Sequence, residues 1–415
     1  MFKQKTNNDL MLELKKTECQ DASYFSTDPS LVLNCASGSY VYDAEGRKYL
    51  DLCTGFGALP FGHNPEFINS FLVSNFAKNK PLITHGMGDV YPSQSKIKLL
   101  NKLKTFLPPH LTKGALSVTG GQAVEFAIKS AMLHTKKSGF VVFEEAYHGL
   151  DLGVLPTTGR EDFRNPFSSW WMNGQLETNI LRLPYGMDIE NIKKQINLHL
   201  KENFAGILVE PIQGRAGIRV PPRDWLQELR DLSSDLSGLL IFDEVLVGFG
   251  RTGRDFFCKK IPADLVCLGK ALGSGFPISA CFGTESVMNS WPESTGEALH
   301  TGTFFGHPLS CEVAYLNLCE MERTNIFSQV SEKAAKVKDI FLQFFQNDPY
   351  FELIGGSGLM LGVHFSKVGH AAFLMNELRR KGIIVLPSGK SGQTLALTPA
   401  LNIDPQALQL VLNAD

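Results

Sequence analysis

Lys270 stands where a lysine is uncommon. It ends the apolar run Leu265, Val266, Cys267, Leu268 within ADLVCLGKALGSGFPISA (263–280), and a loop of small residues follows it. Burial disfavours an ammonium, so a lysine enclosed there is an amine nucleophile suited to a Schiff base with a carbonyl. A lysine at a strand end can equally reach back to water along its own stem. Asp243 ends a second apolar run in LIFDEVLVGFGRTG (240–253). A carboxylate at a buried strand end needs a cationic or hydrogen-bonding partner. That partner is either a neighbour such as Arg251, a capped backbone, or the protonated pyridine nitrogen of pyridoxal phosphate. In SVTGGQAVEFAIK (117–129) a strand runs through Gly120 and Gly121 into a helix. Such a turn lets backbone N–H groups approach an anion at a helix N-terminus, and it also serves as an ordinary connection. Each feature alone is ambiguous. Together they supply a phosphate cradle, a pyridinium carboxylate and a Schiff-base lysine, which one cofactor requires.

These residues need strand ends to hold them, and the chain supplies strands. GSYVYDAEGRKYLDL (38–52) predicts two short strands around a turn at Asp43–Gly46. From about residue 94 helices and strands alternate. QSKIKLLNKLKTFL and GQAVEFAIKSAMLHTKK have helical spacing, while GALSVT, GFVVFEE, AGILVEP (205–211), SGLLIFDEV (237–245) and ADLVCLG (263–269) read as strands. RDWLQELRDLS is a helix between two of them. Strands that are apolar throughout and separated by amphipathic helices imply a mostly parallel sheet covered on both faces. In such sheets ligands bind beyond the carboxyl ends of the strands. After residue 310 the pattern predicts one long helix (310–346), LIGGSGLMLGVHF, a helix at 369–381 and the strand GIIVLP. The expected organisation is an α/β fold. Residues 61–310 form a large cofactor-binding domain, and residues 1–60 join residues 311–415 in a smaller α+β domain.

Composition narrows the function classes. A chain of 415 residues with net charge −2 offers no basis for nucleic-acid or anionic-membrane binding. Its apolar runs fall short of the ~20 residues of a membrane span. The start MFKQKTNNDLMLELKKTECQ has no apolar core of a secretory signal. The eight cysteines form neither CxxC pairs nor Cys/His clusters, so neither a disulfide framework nor structural zinc is expected, and no metal. A soluble, reduced, cytoplasmic protein is the expectation.

The motifs resemble the class III aminotransferases, the pyridoxal-phosphate group that includes the ornithine, acetylornithine, 4-aminobutyrate and diaminobutyrate enzymes. The resemblance runs through YDAEGRKYLDL, FGHNP, TGGQAVEFAIKSA, FEEAYHGLDLGVL, ILVEPIQG, LLIFDEVLVGFGRTG, LGKALGSGFPISA, TGTFFGHPLSC and GSGLMLGV. It implies a fold type I transferase, a homodimer with active sites at the subunit interface, and transfer of an amino group from a small-molecule donor to a carbonyl acceptor. By motif, Lys270 would form the internal aldimine and move the proton that yields the pyridoxamine form. Asp243 would hold the pyridine nitrogen, Val245 would pack under the ring and Tyr147 would stack over it. Gly120 and Gly121 would bind the phosphate, with Thr303 reaching in from the partner subunit. His148 and Glu210 fall in matching motifs with supporting roles, and Phe56 is either a pocket residue or a core aromatic.

Departures from the family pattern bear on the substrate. The phosphate turn reads Val118, Thr119, Gly120, Gly121, Gln122, so the hydroxyl common at the fourth position is missing. Leu246 replaces a glutamine that often follows DEV, and His307 a frequent Asn. Loss of one neutral hydrogen bond costs about 0.5–1.5 kcal/mol, too little to exclude the cofactor. Members that use amino acids often carry a Glu after VEPIQG and a late Arg that clamps the α-carboxylate. Here these positions are Arg215 and Ala396. Arg215 is therefore expected to bind substrate. The rival readings are a racemase, epimerase or aminomutase on the same scaffold, and a binding protein that has lost catalysis.

Overall fold

The computed structural model describes residues 5–23, 30–77, 85, 87–88, 90–169 and 179–413. The strands are β1 (Leu33–Ser37), β2 (Tyr40–Asp43), β3 (Lys48–Asp51), β4 (Leu111–Ser117), β5 (Gly139–Phe143), β6 (Ile180–Leu183), β7 (Phe204–Val209) and β8 (Leu239–Asp243). They continue as β9 (Leu265–Leu268), β10 (Ser279–Thr284), β11 (Phe351–Ser357), β12 (Met360–Phe365), β13 (Ile383–Ile384), β14 (Leu386–Ser388) and β15 (Thr394–Leu397). Seven of them build the central sheet in the order β4-β10-β9-β8-β7-β5-β6. β6, β5, β7, β8 and β9 pair in parallel, and β10 runs antiparallel to both β9 and β4. The sheet is thus mostly parallel, with one strand reversed.

The central strands are apolar throughout because both faces are covered. Val141, Phe143, Ile207, Val209, Leu240, Phe242, Val266 and Leu268 belong to one core cluster. Their neighbours Phe140, Val142, Leu208, Ile241, Leu265 and Cys267 belong to a second. Alternation at period two therefore sorts consecutive residues onto opposite faces. The helix Gly120–Thr135 supplies Ala123, Val124, Phe126, Ala127 and Ala131 to the second cluster. On the other face lie Leu226, Leu229 and Leu232 of the helix Trp225–Asp235 and Leu99, Leu103 and Phe106 of the helix Gln94–Phe106.

Two smaller sheets flank this layer. One has the order β1-β2-β3-β13 and the other β11-β12-β15-β14. β3 pairs in parallel with β13, Leu50 opposite Ile383, so an early segment and a late one share a sheet. The strands predicted in 38–52 are β2 and β3. The single long helix predicted over 310–346 is two helices, Pro308–Thr324 and Phe327–Phe345. Asn325 breaks it at φ 45°, a left-handed cap that asparagine tolerates, and Ile326 then turns into the core. Beyond the predicted elements the structure adds β1, β6, β10, β15 and the helices Asn7–Thr17, Glu66–Ala77, Ile189–His199 and Pro405–Leu412.

Candidate active site

Strand register brings the chemistry together. Asp243, the last residue of β8, lies opposite Cys267 of β9, and Lys270 follows three positions later. The turn after β4 opens the helix Gly120–Thr135 at the same edge. A cavity of about 610 Å³ forms there, and Lys270, Asp243, Val245, Tyr147, Gly120 and Gly121 all line it. Lys270 is half-buried and faces this space instead of bulk water. Its backbone is held at φ 43°, a left-handed conformation unusual for a side-chain-bearing residue. Such strain costs on the order of 1–3 kcal/mol and persists where the surrounding structure fixes it. Burial lowers the affinity of Lys270 for its proton; Asp243 and Glu210 oppose that shift, and Arg215 and Arg251 reinforce it.

Asp243 is not paired with Arg251. The Arg251 Nη1 donates to the carbonyls of Leu359 and Pro399, deep between β12 and the segment after β15. Asp243 Oδ2 accepts instead from His148 Nδ1 at 2.8 Å, and Oδ1 accepts from the Val245 amide at 3.1 Å. His148 is fully enclosed and its Nε2 has no hydrogen-bond partner. Both oxygens of the carboxylate are thereby held while Asp243 lines the cavity. Glu210 braces the part of the wall that Tyr147 lines. Its Oε1 accepts from the Tyr147 amide at 2.8 Å and its Oε2 from the Gly214 amide at 3.0 Å. Burial raises its pKa, against the pull of His148. Both residues thus have positioning roles.

Tyr147 is half-buried, its ring edge-on to Phe163 at 5.9 Å. The guanidinium carbon of Arg215 lies 5.8 Å from the centre of the same ring. Burial, and then the charge of Arg160, push the Arg215 pKa down. Its Nε is buried without a partner, and no ion pair reaches it among the described residues. Ala396 sits in β15 opposite Leu386, so no cation stands there. Two expected site residues lie elsewhere in this chain. Phe56 is 56% exposed in a kinked turn at φ 60° and is neither core nor a lining residue of the cavity; its neighbour Ala58 lines it instead. Thr303 is exposed outside the cavity, its carbonyl met by His85 Nε2.

The walls fit pyridoxal phosphate. Val245 Cγ1 would lie 2.9 Å from a Cβ on Gly120 and 3.2 Å from one on Gly269, so this branched side chain forms a floor only because glycines flank it. Gly120 and Gly121 sit at the first turn of a 16-residue helix, where amides lack intrahelical partners and favour an anion. Ser279 Oγ donates to the Thr119 carbonyl at 2.6 Å and pins the turn to β10. A carboxylate for a pyridinium, an amine for a carbonyl and a helix end for a phosphate share one space. Asp151, on the same wall, escaped the sequence reading, although it lies in the quoted FEEAYHGLDLGVL only four residues after Tyr147.

Known proteins resemble this chain over most of its length. The family model for class-III aminotransferases matches residues 24–414. The mitochondrial acetylornithine aminotransferase of Yarrowia lipolytica is 29% identical over 388 residues, 92% of this chain and 89% of that one. The ornithine aminotransferase from Toxoplasma gondii, solved with partial occupancy of pyridoxal phosphate at its active site, has a TM-score of 0.85 at 23% identity, over 99% of this chain and 93% of its own. A thermostable (S)-enantioselective omega-transaminase from Thermomicrobium roseum has a TM-score of 0.85 at 23% identity, covering 99% and 98%. The fold is fold type I. With strand order, cavity and motif match in agreement, the chain belongs to the class III aminotransferases, which depend on pyridoxal phosphate.

Proposed function

We propose that Lys270 is the amine that would hold pyridoxal phosphate through its carbonyl and, once freed by the incoming donor's amine, would carry the proton during transfer of an amino group from a small-molecule donor to a carbonyl acceptor. The observation that carries this reading is the meeting of Lys270, the Asp243–His148 pair and the Gly120–Gly121 turn in one cavity. When bound, pyridoxal phosphate supplies an electron sink for the bond broken at the substrate carbon. Asp243, fixed by His148 and the Val245 amide, would hold the cofactor's pyridine nitrogen. Val245 and Tyr147 form the floor and the roof, and Glu210 sets the roof by holding the Tyr147 amide. Lys270, whose proton is loosened by burial, moves a proton at its Nζ.

Arg215 is the proposed carboxylate clamp. It is a guanidinium without an acidic partner beside the cavity roof, and Ala396 leaves the late clamp position apolar. Two-point recognition of a carboxylate by a guanidinium contributes about 1.5–3 kcal/mol per charge-assisted bond. Thr303 is assigned to the partner's site in a homodimer, because it stands outside the cavity of its own chain. The eight cysteines are free thiols, five of them buried, which suits a reducing compartment such as the cytoplasm. Among the described residues, no helix is long and apolar enough to cross a membrane.

The test is a single half-reaction. Holoenzyme given an amino donor alone should release the matching oxo acid in amounts stoichiometric with active sites, and Lys270→Ala should release none. Borohydride should fix the cofactor onto the peptide containing Lys270. Racemised donor without oxo acid would favour the racemase reading instead. For the clamp, Arg215→Ala should weaken carboxylated substrates selectively; equal kcat/KM for both substrate classes would remove it from the site.

A further inference from the structure

The phosphate end of the cavity already contains an anion. Asp151 lines the cavity together with Thr119, Gly120 and Gly121. Its Oδ2 lies 2.5 Å from the point where a Cβ on Gly121 would stand, and the Thr119 hydroxyl donates to that same oxygen at 3.3 Å. The position of the carboxylate is therefore conditional on Gly121: any side chain there would expel it. Where the family usually has a hydroxyl, this chain has an empty Cβ position with a neighbouring carboxylate seated against it. Thr119 offers no replacement donor. Its hydroxyl accepts from the Gln122 amide at 3.3 Å and spends its proton on Asp151. Among the described residues lining the cavity, the one lysine or arginine is Lys270.

Resting on the cofactor reading above, we infer that Asp151 is a resident carboxylate that competes with the cofactor's phosphate for the N-terminus of the helix Gly120–Thr135. One helix end favours one anion within its first turn. A phosphate entering beside Asp151 meets like charge, position 121 offers it no hydroxyl, and Lys270 is the one lysine or arginine among the described residues lining the cavity. The phosphate thus adds less to cofactor affinity here than the helix end alone would allow. Asp151 and Gly121 together set how strongly the enzyme distinguishes pyridoxal phosphate from pyridoxal.

Equilibrium binding to the cofactor-stripped full-length protein, followed by absorbance and by quenching of tryptophan fluorescence, tests this without any turnover. Asp151→Asn preserves size and the ability to accept from Thr119. It should tighten pyridoxal phosphate roughly ten-fold while leaving pyridoxal within about two-fold. Gly121→Ser, which expels the carboxylate and restores a hydroxyl, should tighten pyridoxal phosphate at least as much. Melting of the stripped variants checks that each is folded. Unchanged or weaker pyridoxal phosphate binding by both folded variants overturns the inference, as does an equal gain for pyridoxal. If wild type and variants all fail to take up pyridoxal phosphate, the cofactor reading falls, and this inference with it.

Discussion

Asp243 has both oxygens engaged before any cofactor arrives, which makes it a fixed charge and not a mobile one. Asp243→Asn should keep the fold yet lose most of the electron-sink function. Removing a buried charge partner costs on the scale of 3–5 kcal/mol, about two to four orders of magnitude in kcat. A variant within a few-fold of wild type would make Asp243 a structural residue. Lys270 offers a prediction in stability. Its pKa is lowered in the folded state, so between that value and the ordinary lysine value near 10.4 the unfolded chain binds more protons than the native one. Stability of the cofactor-free protein therefore rises with pH across that window, and the burden is complete below it. Lys270→Met should raise the melting temperature of cofactor-free protein at neutral pH, and the advantage should shrink as pH climbs through that window toward the ordinary lysine value. A gain that is constant with pH would show that packing, not charge, is responsible.

At the scale of elements, the sequence revealed those parts whose environment is uniform. Strands β5, β7, β8 and β9 are enclosed on both faces and were legible as unbroken apolar runs. β10 was not, because Gly283 and the serine, alanine and cysteine of SACFGT carry little β signal; its pairing to β9 and β4 decides its state. The break at Asn325 is one residue of cap geometry inside a continuous helical pattern. In the site, Lys270 and Asp243 were legible because charge at the end of an apolar run is conspicuous. Asp151 and the His148–Asp243 bond were not, because each depends on loops meeting across the cavity. The sheet that aims these residues has its own weak point. Gly206 of β7 lies opposite Leu239 of β8, and a Cβ there would overlap the Leu239 backbone. Gly206→Ala should push β8 away at its start, four residues from Asp243, and destabilise the protein by about 1–3 kcal/mol. Denaturant melts showing no loss would mean that the sheet absorbs the methyl elsewhere.

For the whole molecule, the open question is what covers the surface near Thr303. Phe304 is 58% exposed and Tyr91 66%, with Met87 and Val90 similarly uncovered. The two segments meet: His85 stacks edge-on against Phe304 at 5.6 Å, and its Nε2 meets the Thr303 carbonyl. Apolar side chains gathered this way mark an interaction face, and if that face is the seam of the proposed homodimer, Thr303 of each chain would serve the other's cavity. Sharing of this kind has a signature that ordinary damage lacks. Lys270→Ala removes the amine from one cavity, while Thr303→Asp, on the proposed reading of Thr303 as a phosphate ligand, would set a carboxylate against the phosphate in whichever cavity Thr303 serves. Each variant alone should be nearly inactive. If Thr303 serves the partner, a mixed dimer contains one site built from an intact Lys270 and an intact Thr303. Co-expression with random pairing should then restore about a quarter of wild-type specific activity. If Thr303 serves its own chain, every site in the mixture carries one lesion and nothing returns. Phe304→Glu supplies the physical check, since it should shift the sedimenting species toward monomer and loosen pyridoxal phosphate together. A protein that stays dimeric with Phe304→Glu, and a mixture that stays inactive, would leave the cavity of each chain to work alone.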